Sequence, residues 1–179
     1  MTKDIKEILL TEEQITNKVK EIGKAISEDY KGKDLIIVGI LKGSVIFASE
    51  LIKNISIPCE IDFMAVSSYG NSTETSGVVR ILKDLDHGIE GKDIIIVEDI
   101  IDSGVTLDYL LKYLKARKAN SIEIVTLLTK PSRRMVDLDV KYCGFEVPDE
   151  FLVGYGLDYA ERYRNLPYVG ILKEEVYKK

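Results

Sequence analysis

The sequence predicts an α/β fold built on a mainly parallel, twisted sheet with helices on its faces. The first observation is a run of four β-branched residues, Ile94 to Val97, typical of a strand buried on both faces of a parallel sheet. The second is that Leu107, Leu110, Leu111 and Leu114, beyond a polar turn, keep the i, i+3, i+4, i+7 spacing of a helix. Further strands are predicted at 35–40, 61–66, 78–82 and 122–128.

Two more helices are predicted before the strand at Ile94. Thr11 and Gln14 have the spacing of a capping box, and apolar residues then keep helical spacing up to about Tyr30. Another helix is predicted from Val45 to about Ile52, after the first predicted strand. The order strand, loop, helix therefore occurs twice.

Length and composition narrow the class of protein. A chain of 179 residues most simply forms one domain that buries roughly 70% of its unfolded surface. The net charge of −5 argues against a general nucleic-acid binder, which is normally basic. Cys59 and Cys143 stand alone, which indicates neither a zinc site nor a disulfide framework. No apolar run approaches membrane-spanning length and no signal peptide is evident, so we expect a cytoplasmic protein without a membrane partner.

The polar turn after Val97 contains residues suited to binding a ligand. Ligands of open α/β sheets bind beyond the carboxyl ends of the strands. Residues 103–106 would direct backbone N–H groups and a helix N-terminus at a ligand, which suits phosphate, and Gly104 would allow a close approach. Glu98 and Asp99 suit a divalent cation or the hydroxyls of a sugar. One loop therefore offers an anion site beside a hydroxyl or metal site.

The segment Val97 to Thr106 resembles the phosphoribosyl-pyrophosphate loop of type I phosphoribosyltransferases, and Asp102 is similar to the acid found in the 6-oxopurine branch. The resemblance extends roughly from Leu35 to Leu172. It implies the type I phosphoribosyltransferase fold in a single domain, residues 1–179, with a core at about 35–140 and a small hood from the N-terminal and C-terminal segments. It also implies a homodimer or homotetramer.

The implied activity is purine salvage. A Mg²⁺-dependent reaction would transfer the 5-phosphoribosyl group of phosphoribosyl pyrophosphate to N9 of hypoxanthine or guanine, giving IMP or GMP and pyrophosphate. Asp102 would meet the purine at N7 as general base or acid, a role worth roughly 10²–10⁴ in rate.

The resemblance also implies binding roles. The phosphoribosyl group would contact Glu98, Asp99, Ser103, Gly104, Val105 and Thr106. Pyrophosphate would contact Lys42, Gly43 and Arg164, and magnesium would contact Glu98, Asp99 and Asp158. The purine would lie against Lys130, Phe151 and Leu152, with Lys130 reading its exocyclic oxygen, so that adenine would not be used.

The resemblance decides how three further features of the sequence are interpreted. A Lys-Gly pair after a strand is more often a plain turn, but the family's loop that matches residues 41–43 binds pyrophosphate and contains a non-proline cis peptide. Ser68 and Tyr69 open a small polar stretch, typical of a hairpin tip when taken alone, which the resemblance identifies as a lid. The family's phosphate-side arginine falls on Arg134 by spacing, with the adjacent Arg133 as the alternative.

Two other functions suit the same fold. One is a phosphoribosyltransferase that prefers xanthine or a pyrimidine. The other is a regulator that senses nucleotides without turnover and contacts nucleic acid. The acidic balance and the joint presence of Asp102, Lys130 and Phe151 weigh against the regulator.

Overall fold

A computed structural model gives the fold of this chain and describes residues 2–68 and 79–178. The strands are β1 (Ile5–Leu10), β2 (Leu35–Leu41), β3 (Glu60–Ser68), β4 (Val79–Lys83), β5 (Asp93–Ile101), β6 (Ser121–Thr129), β7 (Tyr142–Glu146), β8 (Leu152–Val153) and β9 (Val169–Leu172). The helices are α1 (Glu12–Asp29), α2 (Val45–Lys53), α3 (Val105–Lys115) and α4 (Glu174–Tyr177), with 3-10 turns at Thr2–Asp4 and Pro131–Arg133.

The main sheet has the strand order β4-β3-β2-β5-β6-β7. Its neighbouring strands are parallel, except that β3 pairs with β4 in the antiparallel sense. The run from Asp93 to Val97 in β5 is buried throughout, as the β-branched sequence predicts. The predicted α/β fold with a mainly parallel sheet is confirmed.

Alternate residues of β5 face two different apolar cores. Ile95 and Val97 lie in the core that contains the buried side chains of α1 and α2. Ile94 and Ile96 lie in the opposite core with the leucines of α3. The central strand is therefore covered by helices on both faces, which leaves its carboxyl end as the place where polar side chains can reach a ligand.

The helix that precedes the main sheet begins as its sequence predicts. The Thr11 backbone N–H donates to Gln14 Oε1 at 2.8 Å, and the Gln14 N–H donates to Thr11 Oγ1 at 3.2 Å. This reciprocal pair satisfies two backbone donors that the first turn of a helix leaves unpaired.

A second, antiparallel sheet has the order β1-β9-β8. Ile5 pairs with Leu172, and Leu152 pairs with Ile171. Leu10 and Leu152 of this sheet are buried in the same cluster as the core of α1 and α2. We propose on this ground that the small sheet is the hood of a single domain. Among the described residues, no helix is both long and apolar enough to cross a membrane.

Candidate active site

The loop between β2 and α2 lies directly against the acidic end of β5. The two strands are neighbours, with Gly39 opposite Val97, so the chain beyond Gly39 runs beside the carboxylates. The peptide bond between Leu41 and Lys42 is cis, as the resemblance implied. A Cβ built on Gly43 would overlap the Asp99 carboxylate, so only glycine allows this approach.

The two adjacent acids at the end of β5 are held in a poorly solvated place. Burial raises the pKa of Glu98 well above its usual range, and the neighbouring Asp99 charge raises it further. Burial also raises the pKa of Asp99 to about 6, opposed by the N–H of Ile100 and by the positive charge of Arg164. Two partly buried carboxylates side by side favour a nearby positive charge, from a metal ion or from a developing cation on a substrate.

The turn between β5 and α3 forms a small polar cavity. Gly104 has φ +82°, a backbone conformation that favours glycine, and a Cβ there would lie 2.7 Å from the side-chain atom Leu138 Cδ1. The Val105 N–H lies 3.4 Å from Ser103 Oγ, at the first residue of α3. The cavity has a volume of about 150 Å³ and is lined by Glu98, Ile100, Ile101, Asp102, Ser103, Gly104, Thr106 and Leu107. This size and the helix N-terminus suit a phosphate group.

A larger cavity of about 550 Å³ adjoins the turn. It joins the ends of β5 and β6 to the hood, and Ile100 and Asp102 line both cavities. Its lining residues are Asp99, Ile100, Asp102, Lys130, Arg133, Asp149, Glu150, Phe151, Leu152, Leu157, Asp158 and Tyr177. The three predicted purine contacts and the predicted general base therefore meet in one space.

Lys130 is anchored in the wall of the larger cavity. Its side chain is almost fully buried, and Nζ donates to the Glu150 carbonyl at 2.7 Å. Nζ also lies 3.7 Å from Asp149 Oδ1. Its backbone N–H donates to the carbonyl of Ile101, which joins the end of β6 to the end of β5. A lysine fixed in this way presents a localised positive charge to a ligand oxygen.

Asp102 lines the larger cavity beside Arg133, one of the two arginines between which the sequence does not decide. Arg133 Nε lies 2.6 Å from Asp102 Oδ1, and Arg133 Nη1 lies 3.3 Å from Asp149 Oδ1. Asp102 Oδ1 is buried. Its contact with Arg133 is close but lacks the angles of a hydrogen bond, so Oδ1 has no hydrogen-bond partner among the described residues. Arg134 instead donates to Thr129 Oγ1 at 2.6 Å, behind the Gly104 turn. The structure thus places Arg133 at the larger cavity and Arg134 outside it.

Phe151 belongs to a group of three aromatic rings. The ring of Tyr177 in α4 stacks on Phe151 with centroids 4.7 Å apart and an interplanar angle of 26°. Tyr159 meets Phe151 edge-on, with centroids 5.5 Å apart. Both arrangements are favourable aromatic geometries and hold the Phe151 ring in position. Sequence analysis did not identify Tyr177, because nothing in its neighbourhood marks it.

The residues predicted for pyrophosphate come from two parts of the chain, the loop after β2 and the hood. Arg164 Nη2 lies 2.9 Å from Asp158 Oδ1, and Nη1 donates to the Gly156 carbonyl at 2.7 Å. Lys42 Nζ lies 3.0 Å from Glu161 Oε2. A Cβ on Gly156 would overlap the carbonyl oxygen of the Lys42–Gly43 loop, so the hood and the loop touch backbone to backbone. Glu161 is a further charged residue that sequence analysis missed.

The predicted lid and metal site are only partly described. Ser68 ends β3, where its backbone pairs with Val79, and Tyr69 lies outside the described residues. Within residues 2–68 and 79–178, no group of three or more acids, histidines or cysteines lies close enough to hold a metal by itself. Glu98, Asp99 and Asp158 are thus not a closed three-ligand site, although the Asp158 charge acts on Asp99.

Comparison with known proteins identifies the class. A model described as the phosphoribosyl transferase domain matches residues 6–160. The chain therefore belongs to the phosphoribosyltransferase family, as its acidic loop predicts.

Individual relatives indicate which group of enzymes within the phosphoribosyltransferase family the chain resembles. The chain is 58% identical to the hypoxanthine-guanine phosphoribosyltransferase of Staphylococcus aureus, over 99% of each chain. It is 57% identical to that of Bacillus subtilis strain 168, again over 99% of each. A crystal structure of a Staphylococcus aureus hypoxanthine phosphoribosyltransferase superposes with a TM-score of 0.97 at 57% identity, covering 100% of this chain and 97% of that one. Within the family, the chain groups with the hypoxanthine-guanine enzymes.

Proposed function

We propose that this protein is a hypoxanthine-guanine phosphoribosyltransferase of purine salvage. It transfers the 5-phosphoribosyl group of phosphoribosyl pyrophosphate to N9 of hypoxanthine or guanine, and releases IMP or GMP with pyrophosphate. The observation that carries the proposal is the 550 Å³ cavity in which Asp102, Lys130 and Phe151 meet, next to the small polar cavity at Gly104. The full-length similarity to curated enzymes of this name supports it.

The small cavity would hold the 5′-phosphate. Ser103 and Thr106 can donate hydroxyl hydrogen bonds there, and the first turn of α3 supplies backbone N–H groups and a favourable dipole. Ile100 and Asp102 line both cavities, so the sugar would bridge from the phosphate turn to the base. Binding energy at the phosphate thereby fixes the anomeric carbon for reaction.

The larger cavity would hold the purine. Phe151 would stack on the ring, Lys130 would donate to the 6-oxo group, and the backbone at Leu152 would read the purine edge. As N9 attacks the anomeric carbon and the bond to pyrophosphate oxygen breaks, the proton on N7 would pass to Asp102. In the reverse direction Asp102 would return this proton.

The two adjacent acids at the end of β5 would stabilise charge at the sugar. Cleavage of the anomeric bond develops positive charge on the ribose, and Glu98 and Asp99 would lie beside it with their oxygens on the ribose hydroxyls. Lys42, the Gly43 amide and Arg164 would bind the negative pyrophosphate. Gly43 lies against the Asp99 carboxylate, and its carbonyl lies against Gly156, whose own carbonyl accepts a hydrogen bond from Arg164.

Magnesium suits this group of donors. Mg²⁺ is usually bound by one or two carboxylates together with substrate phosphates and water, so a closed protein cage is not required. Asp99, Asp158 and Glu98 would supply the carboxylate oxygens. When bound, the ion would neutralise charge on the pyrophosphate leaving group.

A base panel tests the proposal. We expect radiolabelled hypoxanthine and guanine to give IMP and GMP with pyrophosphate release, and adenine to give no product, because Lys130 requires an acceptor at position 6. Preferential use of xanthine would identify the alternative enzyme. Nucleic-acid binding at physiological salt without pyrophosphate release would identify the regulator.

Location and assembly belong to the same proposal. A cytoplasmic location is supported by Cys59 and Cys143, which are both free thiols, as expected in a reducing compartment. A homodimer or homotetramer is expected from the resemblance alone, and light scattering coupled to size-exclusion chromatography tests it.

A further inference from the structure

One exposed carboxylate, Glu161, bridges the two cations proposed to bind pyrophosphate. Lys42 Nζ lies 3.0 Å from Glu161 Oε2, and Arg164 Nη2 lies 3.4 Å from Oε1. Each oxygen of one carboxylate therefore contacts a different cation. Lys42 belongs to the loop after β2 and Arg164 to the hood, so Glu161 joins the two parts of the site.

The turn that carries Glu161 fixes its position. Its backbone N–H donates to Asp158 Oδ2 at 2.9 Å, and Tyr159 and Arg162 exchange two backbone hydrogen bonds of 3.1 and 3.0 Å. Ala160 and Glu161 have φ values of +49° and +63°, a region that residues other than glycine rarely adopt. Such a backbone persists where the surrounding contacts hold it, often at functional sites.

We infer that Glu161 is a displaceable counter-ion of the pyrophosphate site, which competes with pyrophosphate for Lys42 and Arg164 and so weakens its binding. The inference rests on the proposed function, because these cations hold pyrophosphate only if the chain is a phosphoribosyltransferase. Weaker binding of pyrophosphate favours its release as product, because affinity differences within one site appear mainly in the dissociation rate.

The exposure of the ion pair sets the size of the effect. The side chains of Lys42 and Glu161 are 68% and 65% exposed, so their attraction is weakened by solvent. Pyrophosphate carries more negative charge and more acceptor oxygens than one carboxylate, and it can displace Glu161. Loss of an exposed pair of this kind corresponds to roughly a two- to fivefold change in affinity.

The test is the substitution Glu161→Gln, which keeps the backbone bond to Asp158 and removes the charge. We expect the inhibition constant for pyrophosphate and the KM for phosphoribosyl pyrophosphate to fall roughly two- to fivefold. The KM for hypoxanthine should not change, because Glu161 does not line the larger cavity, which is proposed to hold the base. The difference from the wild type should shrink as ionic strength rises. Glu161→Ala should behave in the same way.

Glu50→Gln is the matched control. Glu50 forms an exposed ion pair with Lys53, also at 3.0 Å, on α2, and its substitution changes the net charge by the same amount. We expect it to leave all three constants unchanged. An equal effect of Glu50→Gln would attribute the result to net charge and overturn the inference.

Other outcomes distinguish a failure of the Glu161 inference from a failure of the proposed function. If wild-type and Glu161→Gln enzymes are both active and bind pyrophosphate equally, the inference is wrong while the proposed function stands. If Glu161→Gln binds pyrophosphate more weakly, Glu161 orients the cations rather than competing for them, and the inference is wrong. If the wild type forms no nucleotide and does not bind pyrophosphate, the proposed function itself fails.

Discussion

The α-carbon of Gly43 lies so close to the carboxylate of Asp99 that one added methyl group would overlap Asp99 Oδ2. The contact joins the loop after β2 to the end of β5, and thus the proposed pyrophosphate site to the pair of acids Glu98 and Asp99. It makes the position of the carboxylate depend on the size of a residue more than 50 positions earlier in the chain.

Gly43→Ala should displace Asp99 and lower activity. Overpacking of this kind costs about 1–3 kcal/mol, so we expect kcat/KM to fall roughly 10- to 100-fold, with a lower Tm. Gly88→Ala is the control, because a Cβ at Gly88 has no atom within 4 Å. Steady-state kinetics and thermal unfolding of both variants check the prediction, and full activity of Gly43→Ala would contradict it.

Asp102→Asn should impair proton transfer while leaving the sugar-phosphate site intact. The amide keeps the shape of the carboxylate but is not a base, so we expect kcat to fall roughly 10²–10⁴-fold. Affinity for phosphoribosyl pyrophosphate, measured by calorimetry, should stay close to the wild-type value. Asp139→Asn, at an exposed position, is the control. Unchanged turnover of Asp102→Asn would remove this residue from the chemistry.

Asp99 should make the folded protein less stable as pH rises. Burial raises its pKa from 3.8 to about 6, so the folded state binds this proton more tightly than the unfolded chain does. The contribution of Asp99 to the free energy of unfolding therefore decreases between about pH 4 and 6 and stays low above pH 6.

Asp99→Asn removes this penalty and keeps an oxygen for the N–H of Ile100. Its free energy of unfolding at pH 8, in buffer with a chelator, should exceed that of the wild type by an amount on the order of 2 kcal/mol. The gain should vanish below about pH 4. Urea unfolding at several pH values measures both, and a gain that does not depend on pH would contradict this account.

Phe151→Leu should weaken base binding alone. Loss of ring stacking costs about 0.5–1.5 kcal/mol beyond buried area, so the KM for hypoxanthine should rise roughly 2- to 12-fold. The KM for phosphoribosyl pyrophosphate should not change. Phe145→Leu, in β7 and outside both cavities, is the control and should lower the Tm without changing the hypoxanthine KM. A hypoxanthine KM that stays at the wild-type value in Phe151→Leu would argue against stacking.

The local parts of the fold could be predicted from the sequence. The β5–α3 unit was predicted because a buried strand, a turn with a required glycine and an apolar helix stripe all carry short-range signals. The capping box at Thr11 is another signal of this kind. These signals lie within a few residues of the structure that they specify.

The non-local parts were missed. β1 pairs with β9 through two register shifts and has no regular alternation of polar and apolar residues, so its sequence does not indicate a strand. β7 contains Gly144, which lets it approach the Leu127 carbonyl closely but weakens the strand pattern. Glu161 and Tyr177 act on Lys42 and Phe151, and no spacing in the sequence records those contacts.

The pairing of Ile5 with Leu172 has a consequence for how the molecule is assembled. During synthesis, the segment that leaves the ribosome first can find its sheet partner only after nearly all of the chain has been made. The main sheet can form earlier, and the wall that carries Phe151 and Leu152 is then completed last. A ribosome-stalled chain that ends before Val169 should therefore have a nearly complete turn at the proposed 5′-phosphate site, while the cavity proposed for the purine is still unfinished.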